Sequence, residues 1–144
     1  MNDKLITAAS ILLVDDDEQL RVALRKLLQA EGYAVVAMPD ALNAIHYIEA
    51  NPMCFDLVVT DVSMPGINGM TLLTVVKTAF PDVPVIIITA FGTWGEYSTA
   101  IRNGVFEYLY KPLEPDEFLD SVRRAVSRTP QPARASPPSE ASRS

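Results

Sequence analysis

The stretch "ILLVDDDEQL", residues 11–20, runs an apolar strand into a helix through three consecutive aspartates. Such a run of branched apolar residues is typical of a strand buried on both faces of a parallel sheet. Carboxylates repel one another and are costly to bury alone, so Asp15, Asp16 and Asp17 need either water or a cation around them. Asp17 is also a natural cap for the following helix. The stretch therefore predicts a strand–helix unit with an acidic site at the junction.

The same alternation continues on the C-terminal side of this stretch. The predicted strands are 10–15, 33–38, 55–61, 83–90 and 106–110, and the predicted helices are 17–32, 39–52, 70–80, 93–104 and 114–128. Strict alternation predicts an α/β fold, a (βα)5 unit with a parallel five-stranded sheet and helices on both faces. The most continuously apolar strands belong inside the sheet. This arrangement predicts the doubly wound, flavodoxin-like order 2-1-3-4-5.

Helical spacing predicts which side chains of each helix face the sheet. The inward residues are predicted to be Leu20, Leu24, Leu27 and Leu28 in the first helix, Ala41, Leu42, Ile45 and Ile48 in the second, Tyr97, Ala100 and Ile101 in the fourth, and Phe118, Val122, Ala125 and Val126 in the fifth. Cys54 is predicted to be a packed thiol, and His46 a surface residue without a catalytic partner.

Composition limits the classes of function. The chain has 144 residues, a net charge of -6 and one cysteine. The acidic balance argues against non-specific binding of nucleic acid. There is no signal peptide and no apolar run long enough for a membrane span, which predicts a cytoplasmic domain without membrane contact.

We divide the chain into an N-terminal extension over 1–8, one domain over 9–128, and a disordered tail or start of a linker over 129–144. The last segment, "TPQPARASPPSEASRS", has no apolar residue larger than alanine and cannot offset its ordering entropy by burial. The composition of this segment fits both the tail of a stand-alone protein and the linker of a longer one. Of these two alternatives we favour the stand-alone protein.

Polar residues end most of the predicted strands. Asp15 and Asp16 end the first, Asp61 the third and Thr89 the fourth, and Lys111 follows the fifth. In open parallel sheets these ends meet at one edge, where ligands bind. All-oxygen ligands favour Mg²⁺, while a hydroxyl and an ammonium can hold phosphate oxygens. A carboxylate there can act as a nucleophile and form an aspartyl phosphate.

With these residues in place, the chain resembles the receiver domain of bacterial two-component response regulators. The matching segments are "LLVDDDE" (12–18), "DLVVTDVSMPGINGM" (56–70), "VIIITA" (85–90) and "EYLYKP" (107–112), within about residues 9–127. The resemblance implies that Asp61 is the phosphoacceptor and also a metal ligand. It implies that Asp16 binds Mg²⁺ (or Mn²⁺) directly, that Asp15 acts mainly through water, and that Ser63 offers its backbone carbonyl to the metal.

The resemblance also implies roles for residues of the last two strands. Thr89 swings onto the phosphoryl group, and Lys111 pairs with it. Tyr108 is the aromatic switch that turns inward on activation, and Pro112 follows a cis peptide bond.

The resemblance further implies the partners. The phosphoryl donor is a histidine kinase or a histidine phosphotransfer protein, and the surface over 93–127 signals to a protein target or an output domain. Such a protein catalyses its own phosphorylation and slow dephosphorylation and is not a conventional turnover enzyme.

Phe91 and Ser63 lie two residues after Thr89 and Asp61, at positions that flank the path of water to the phosphoryl group in this family. We hypothesise that the bulky Phe91 shields the phosphoryl group and slows its hydrolysis. An unchanged dephosphorylation rate in Phe91→Ala would contradict this hypothesis.

Two alternatives remain open at this point. A phosphatase of the haloacid dehalogenase type would use Asp15 and Asp17 as its acidic pair, with Asp15 as the nucleophile. The chain lacks the threonine that follows this pair in that family, and its C-terminal third has no second acidic pair at the end of a strand. The other alternative is a receiver-like binding module that acts without phosphorylation, which the complete acid, threonine and lysine set disfavours.

Overall fold

A computed structural model describes residues 8–52, 54–62, 66–90 and 92–127. Its elements are β1 (Ser10–Val14), α1 (Glu18–Ala30), β2 (Ala34–Met38), α2 (Ala41–Ala50), β3 (Leu57–Asp61), α3 (Gly69–Ala79), β4 (Val85–Thr89), α4 (Trp94–Arg102), β5 (Glu107–Tyr110) and α5 (Pro115–Ser127). The predicted alternation is confirmed, with boundaries that differ by a few residues. Apart from residue 8, the predicted extension and tail lie outside the described residues.

The five strands form one parallel sheet in the order β2-β1-β3-β4-β5. The predicted order and its two edge strands are therefore confirmed. The strand order reverses between β1 and β3, and the carboxyl ends of these two strands carry Asp15 and Asp61. This is the position at which doubly wound sheets bind their ligands.

Each face of the sheet has its own hydrophobic core, because successive strand residues point to opposite faces. On one face, Ile11, Leu13, Leu57, Val59, Ile86 and Ile88 pack against α1 and α5. On the other, Leu12, Val14, Val58, Val85 and Ile87 pack against α2, α3 and α4. The three central strands are thus buried on both sides, which explains their continuous apolar sequence.

Three predicted core positions are wrong. Leu42 is 46% exposed and Ile101 is 51% exposed, and Cys54 is also exposed. In α2 the sheet-facing positions are filled by small residues such as Ala44, which is fully buried. Helical spacing alone fixes an apolar stripe only to within about one residue on either side, so it could not separate Leu42 and Ile101 from the core. Cys54 lies between α2 and β3, and its prediction as a packed thiol rested on residue type alone.

Side-chain caps fix the helix starts that lie beside the strand ends. Asp17 Oδ1 accepts a hydrogen bond from the Leu20 backbone N–H at 3.1 Å. Asn68 Oδ1 accepts from the backbone N–H groups of Met70 and Thr71.

The longest helices among the described residues have 13 residues, well short of the roughly 20 needed to cross a bilayer, and none is a candidate membrane span.

Candidate functional site

The carboxylate that follows β1 is fully buried. Asp15 Oδ1 accepts a hydrogen bond from the Asp17 backbone N–H at 2.9 Å, and the Asp15 carbonyl accepts one from Arg21 Nη1 at 2.7 Å. Burial raises the pKa of Asp15, although the Asp17 N–H and the charge of Lys111 oppose the rise. The ionised form of Asp15 therefore gains from any further positive charge at this position.

The carboxylate at the end of β3 sits on a tightly packed backbone. Asp61 is 4% exposed, and its carbonyl accepts a hydrogen bond from Thr60 Oγ1 at 2.9 Å. The first residue of α3, Gly69, lies directly against this carbonyl: a Cβ on Gly69 would overlap the carbonyl oxygen and lie 2.9 Å from the carbonyl carbon. The Gly69 N–H donates to the Val62 carbonyl at 3.1 Å. Helix α3 therefore begins in contact with the backbone that carries the Asp61 carboxylate.

A single ammonium group links the two buried carboxylates. Lys111 Nζ donates to Asp61 Oδ2 at 2.9 Å and lies 3.2 Å from Asp15 Oδ2. The Lys111 backbone N–H donates to the Thr89 carbonyl at 2.8 Å, which ties this residue to the end of β4. Burial alone would lower the pKa of Lys111, but the hydrogen bond to Asp61 and the charge of Asp15 outweigh it, so the pKa is raised. Lys111 is therefore a permanent cation at the site.

The three acids have the composition and spacing of a divalent-metal site. One carboxylate oxygen from each of Asp15, Asp16 and Asp61 lies within 4.8 Å of the others, and Asp16 is exposed to solvent. Asp15 Oδ2 is buried and has no hydrogen bond within the described residues, although it lies close to Lys111 Nζ. Three ionised carboxylates with one lysine leave two negative charges, which matches a divalent cation. The oxygen-only ligand set fits Mg²⁺, because a small hard cation prefers oxygen ligands and keeps several waters.

Thr89 and Tyr108 lie on neighbouring strands at the α4 side of this site. Thr89 is the last residue of β4 and is fully buried. Tyr108 is 5% exposed, and its ring meets the Tyr97 ring nearly at right angles, with centroids 5.2 Å apart. Burial, and then the neighbouring Tyr110 and acidic groups, raise the pKa of Tyr108. Tyr108 is therefore a neutral, packed side chain.

Not every predicted site residue belongs to this cluster. Asp17 caps α1 and lies outside the acid trio, which argues against the Asp15/Asp17 pair of the phosphatase alternative. The Lys111–Pro112 peptide bond is cis. Ser63 and Phe91 lie outside the described residues.

Sequence reasoning missed two residues that position the site, Gly69 and Arg21. Gly69 matters because the Asp61 backbone packs where its side chain would be, and Arg21 matters because it donates a hydrogen bond to the Asp15 carbonyl. A glycine as the first residue of α3 was the only available signal, because a close backbone approach leaves no mark on hydrophobic periodicity.

Comparison with known proteins agrees with this geometry. Residues 11–123 match the family described as the response regulator receiver domain. The response regulator protein FleR of Pseudomonas aeruginosa is 40% identical over 124 residues, which cover 85% of this chain and 26% of that protein. The C4-dicarboxylate transport transcriptional regulatory protein DctD of the same species is 41% identical over 119 residues, which cover 81% of this chain and 25% of that protein.

A solved structure gives the same agreement in three dimensions. The crystal structure of a response regulator receiver domain protein from Clostridium thermocellum has a TM-score of 0.79 and 30% identity, and the match covers 83% of this chain and 95% of that one. The chain spans about a quarter of the length of the two curated relatives it matches.

Proposed function

The chain belongs to the response regulator receiver family, and from this premise we propose that Asp61 accepts a phosphoryl group from a phosphohistidine donor. The observation that carries the proposal is the convergence of Asp61, Asp15 and Asp16 with the Lys111 ammonium at the switch point of the sheet. We further propose that the donor is a histidine kinase or a histidine phosphotransfer protein and that the chain acts in the cytoplasm.

In the proposed reaction, an Asp61 carboxylate oxygen forms a bond to phosphorus. The bond between phosphorus and the imidazole nitrogen of the donor breaks, and its electron pair stays on that nitrogen. Lys111, already hydrogen-bonded to Asp61 Oδ2, balances the charge of the attacking carboxylate and then of the phosphoryl oxygens. Thr89, at the end of β4, supplies a hydroxyl to these oxygens.

The same acids would hold Mg²⁺, with Asp16 as a direct ligand, Asp61 as a second and Asp15 acting through water. When bound, the cation supplies neutralising charge and free coordination positions for phosphoryl oxygens. The buried Asp15 Oδ2 supports this assignment, because the Lys111 ammonium that lies 3.2 Å from it is shared with Asp61 and so balances only part of the negative charge of the acids.

The proposed output is a change on the surface formed by residues 93–127. The phosphoryl group adds about -1.5 to -2 charges and new acceptor oxygens beside Thr89. Two large apolar side chains of α4, Trp94 and Ile101, are 50% and 51% exposed on this surface. A shift between two arrangements of Tyr108 and α4 would alter how this surface meets a protein target or output domain.

The proposal is tested by phosphorylating the wild-type chain with a small donor. Incubation with acetyl phosphate or phosphoramidate and Mg²⁺ should add one phosphoryl group, measured as intact mass, and a chelator should prevent the gain. A chain that gains no mass with either donor in the presence of Mg²⁺ would contradict the proposal.

Magnesium should stabilise the protein, and the replacement Asp16→Asn should remove most of this effect. A cation that binds only the folded chain adds about 1.4 kcal/mol to the free energy of unfolding at ten times its Kd. Asp16→Asn removes one proposed ligand. Urea unfolding with and without Mg²⁺ measures the difference.

Asp17→Asn is the matched control for this measurement. It removes the neighbouring charge, but asparagine is an equally good helix cap, so α1 should be unaffected. This variant should keep the full response to Mg²⁺. An equal loss of the stabilisation by Mg²⁺ in both variants would mean that the ion is attracted by general negative charge and is not bound by Asp16.

A further inference from the structure

Three side chains meet at the one position between β4 and α4 that has no side chain of its own. A Cβ on Gly92 would lie 3.0 Å from Tyr108 Oη, 3.0 Å from Tyr110 Cε1 and 3.3 Å from Thr89 Cγ2. The first two distances are shorter than ordinary van der Waals contacts. A Cβ at position 92 would therefore require the Tyr108 and Tyr110 side chains to shift by a few tenths of an ångström, and a larger side chain would require more.

Among the residues that the structure describes, packing holds Tyr108 in this position, and its hydroxyl has no hydrogen-bond partner. Its ring lies between those of Tyr97 and Tyr110, with centroids 5.2 Å and 5.4 Å away and both pairs edge to face. The hydroxyls of Tyr108 and Tyr110 are buried and have no hydrogen-bond partner within the described residues. Because unpartnered hydroxyls oppose burial, the position depends on close packing around Gly92.

We propose that Gly92 is a positioning residue for the Tyr108 switch: its missing side chain leaves the space that the buried Tyr108 hydroxyl occupies against Tyr110 and Thr89. The consequence of this role rests on the proposed function, in which Tyr108 exchanges between a buried and an outward arrangement. The size of residue 92 then sets the balance between these two arrangements. The role of Gly92 does not involve the acids, which lie at the ends of β1 and β3.

The test is to fill this space with a side chain. Gly92→Val should expel the Tyr108 ring, and the cross-peaks between the ring protons of Tyr108 and Tyr97 in an NMR spectrum should disappear. The matched control is Gly95→Val, because a Cβ on Gly95 would meet only Thr93 Oγ1, at 3.9 Å. This control and the wild type should keep the cross-peaks.

A rescue experiment separates positioning from general damage. Gly92→Ala adds the single Cβ that crowds Tyr108 Oη, and Tyr108→Phe removes that oxygen. The double variant should recover the cross-peaks between residues 97 and 108 that Gly92→Ala weakens. This pair also decides the question if Gly92→Val does not fold.

Several outcomes would overturn the proposal: cross-peaks that persist in Gly92→Val, cross-peaks lost equally in Gly95→Val, cross-peaks absent from the wild type, or no rescue in the double variant. Phosphoryl uptake is measured separately by intact mass, and Gly92→Val should retain it. Absence of uptake in the wild type would overturn the proposed function, whereas the cross-peaks alone decide the role of Gly92.

Discussion

The replacement Asp61→Asn should abolish phosphoryl uptake from acetyl phosphate. Asparagine keeps the size of the side chain, and its Oδ1 can still accept the hydrogen bond from Lys111 Nζ that Asp61 Oδ2 accepts at 2.9 Å. The amide, however, is not a nucleophile at phosphorus, so the site remains assembled but cannot form the acyl phosphate. Intact mass after incubation with donor and Mg²⁺ should show one added phosphoryl group in the wild type and none in the variant.

The control for this experiment is Asp116→Asn. Asp116 is an exposed acid in the first turn of α5, and its replacement changes the net charge by the same amount. This variant should take up one phosphoryl group at the wild-type rate. Uptake that survives in Asp61→Asn would move the acceptor to another acid and would revive the phosphatase alternative, in which Asp15 is the nucleophile.

Much of the fold followed from local sequence patterns. The continuous apolar runs that became β1, β3 and β4 could only be central strands, because each has both faces buried. With those strands in the middle and short strands at the edges, few orders remained. The same order brings residues after β1 and β3 to one edge, so Asp15 and Asp61 were predictable as neighbours.

Local sequence patterns do not encode the distances between helices and strands, and the features that the sequence could not predict depend on those distances. The position of Lys111 between Asp15 and Asp61 requires β5 at its actual distance from β1, and no local pattern encodes that distance. The exposed Leu42 and Ile101 show the same limit for helices, because the sheet fixes which part of an apolar stripe it covers. The contact between α3 and the Asp61 carbonyl depends on an absent side chain and could not be anticipated.

That contact predicts a large effect for Gly69→Ala. The added Cβ would overlap the Asp61 carbonyl oxygen and lie 3.1 Å from Val62 Cα. Both contacts are with backbone, so no side chain can rotate away and either α3 or the end of β3 must shift. Overpacking of this kind should lower the free energy of unfolding by about 3 kcal/mol. Urea unfolding measures the loss.

Gly95→Ala is the matched control, because it makes the same chemical change near the start of another helix. The nearest atom to its added Cβ would be Thr93 Oγ1 at 3.9 Å, so no group is displaced. Alanine favours the helix, and we expect a gain of less than about 1 kcal/mol. Since a shift of β3 would also move the Asp61 carboxylate relative to Lys111, only Gly69→Ala should slow phosphoryl uptake. Equal stability of the two variants would mean that α3 can retreat from β3 without cost, and normal uptake in Gly69→Ala would mean that the Asp61 backbone does not depend on this contact.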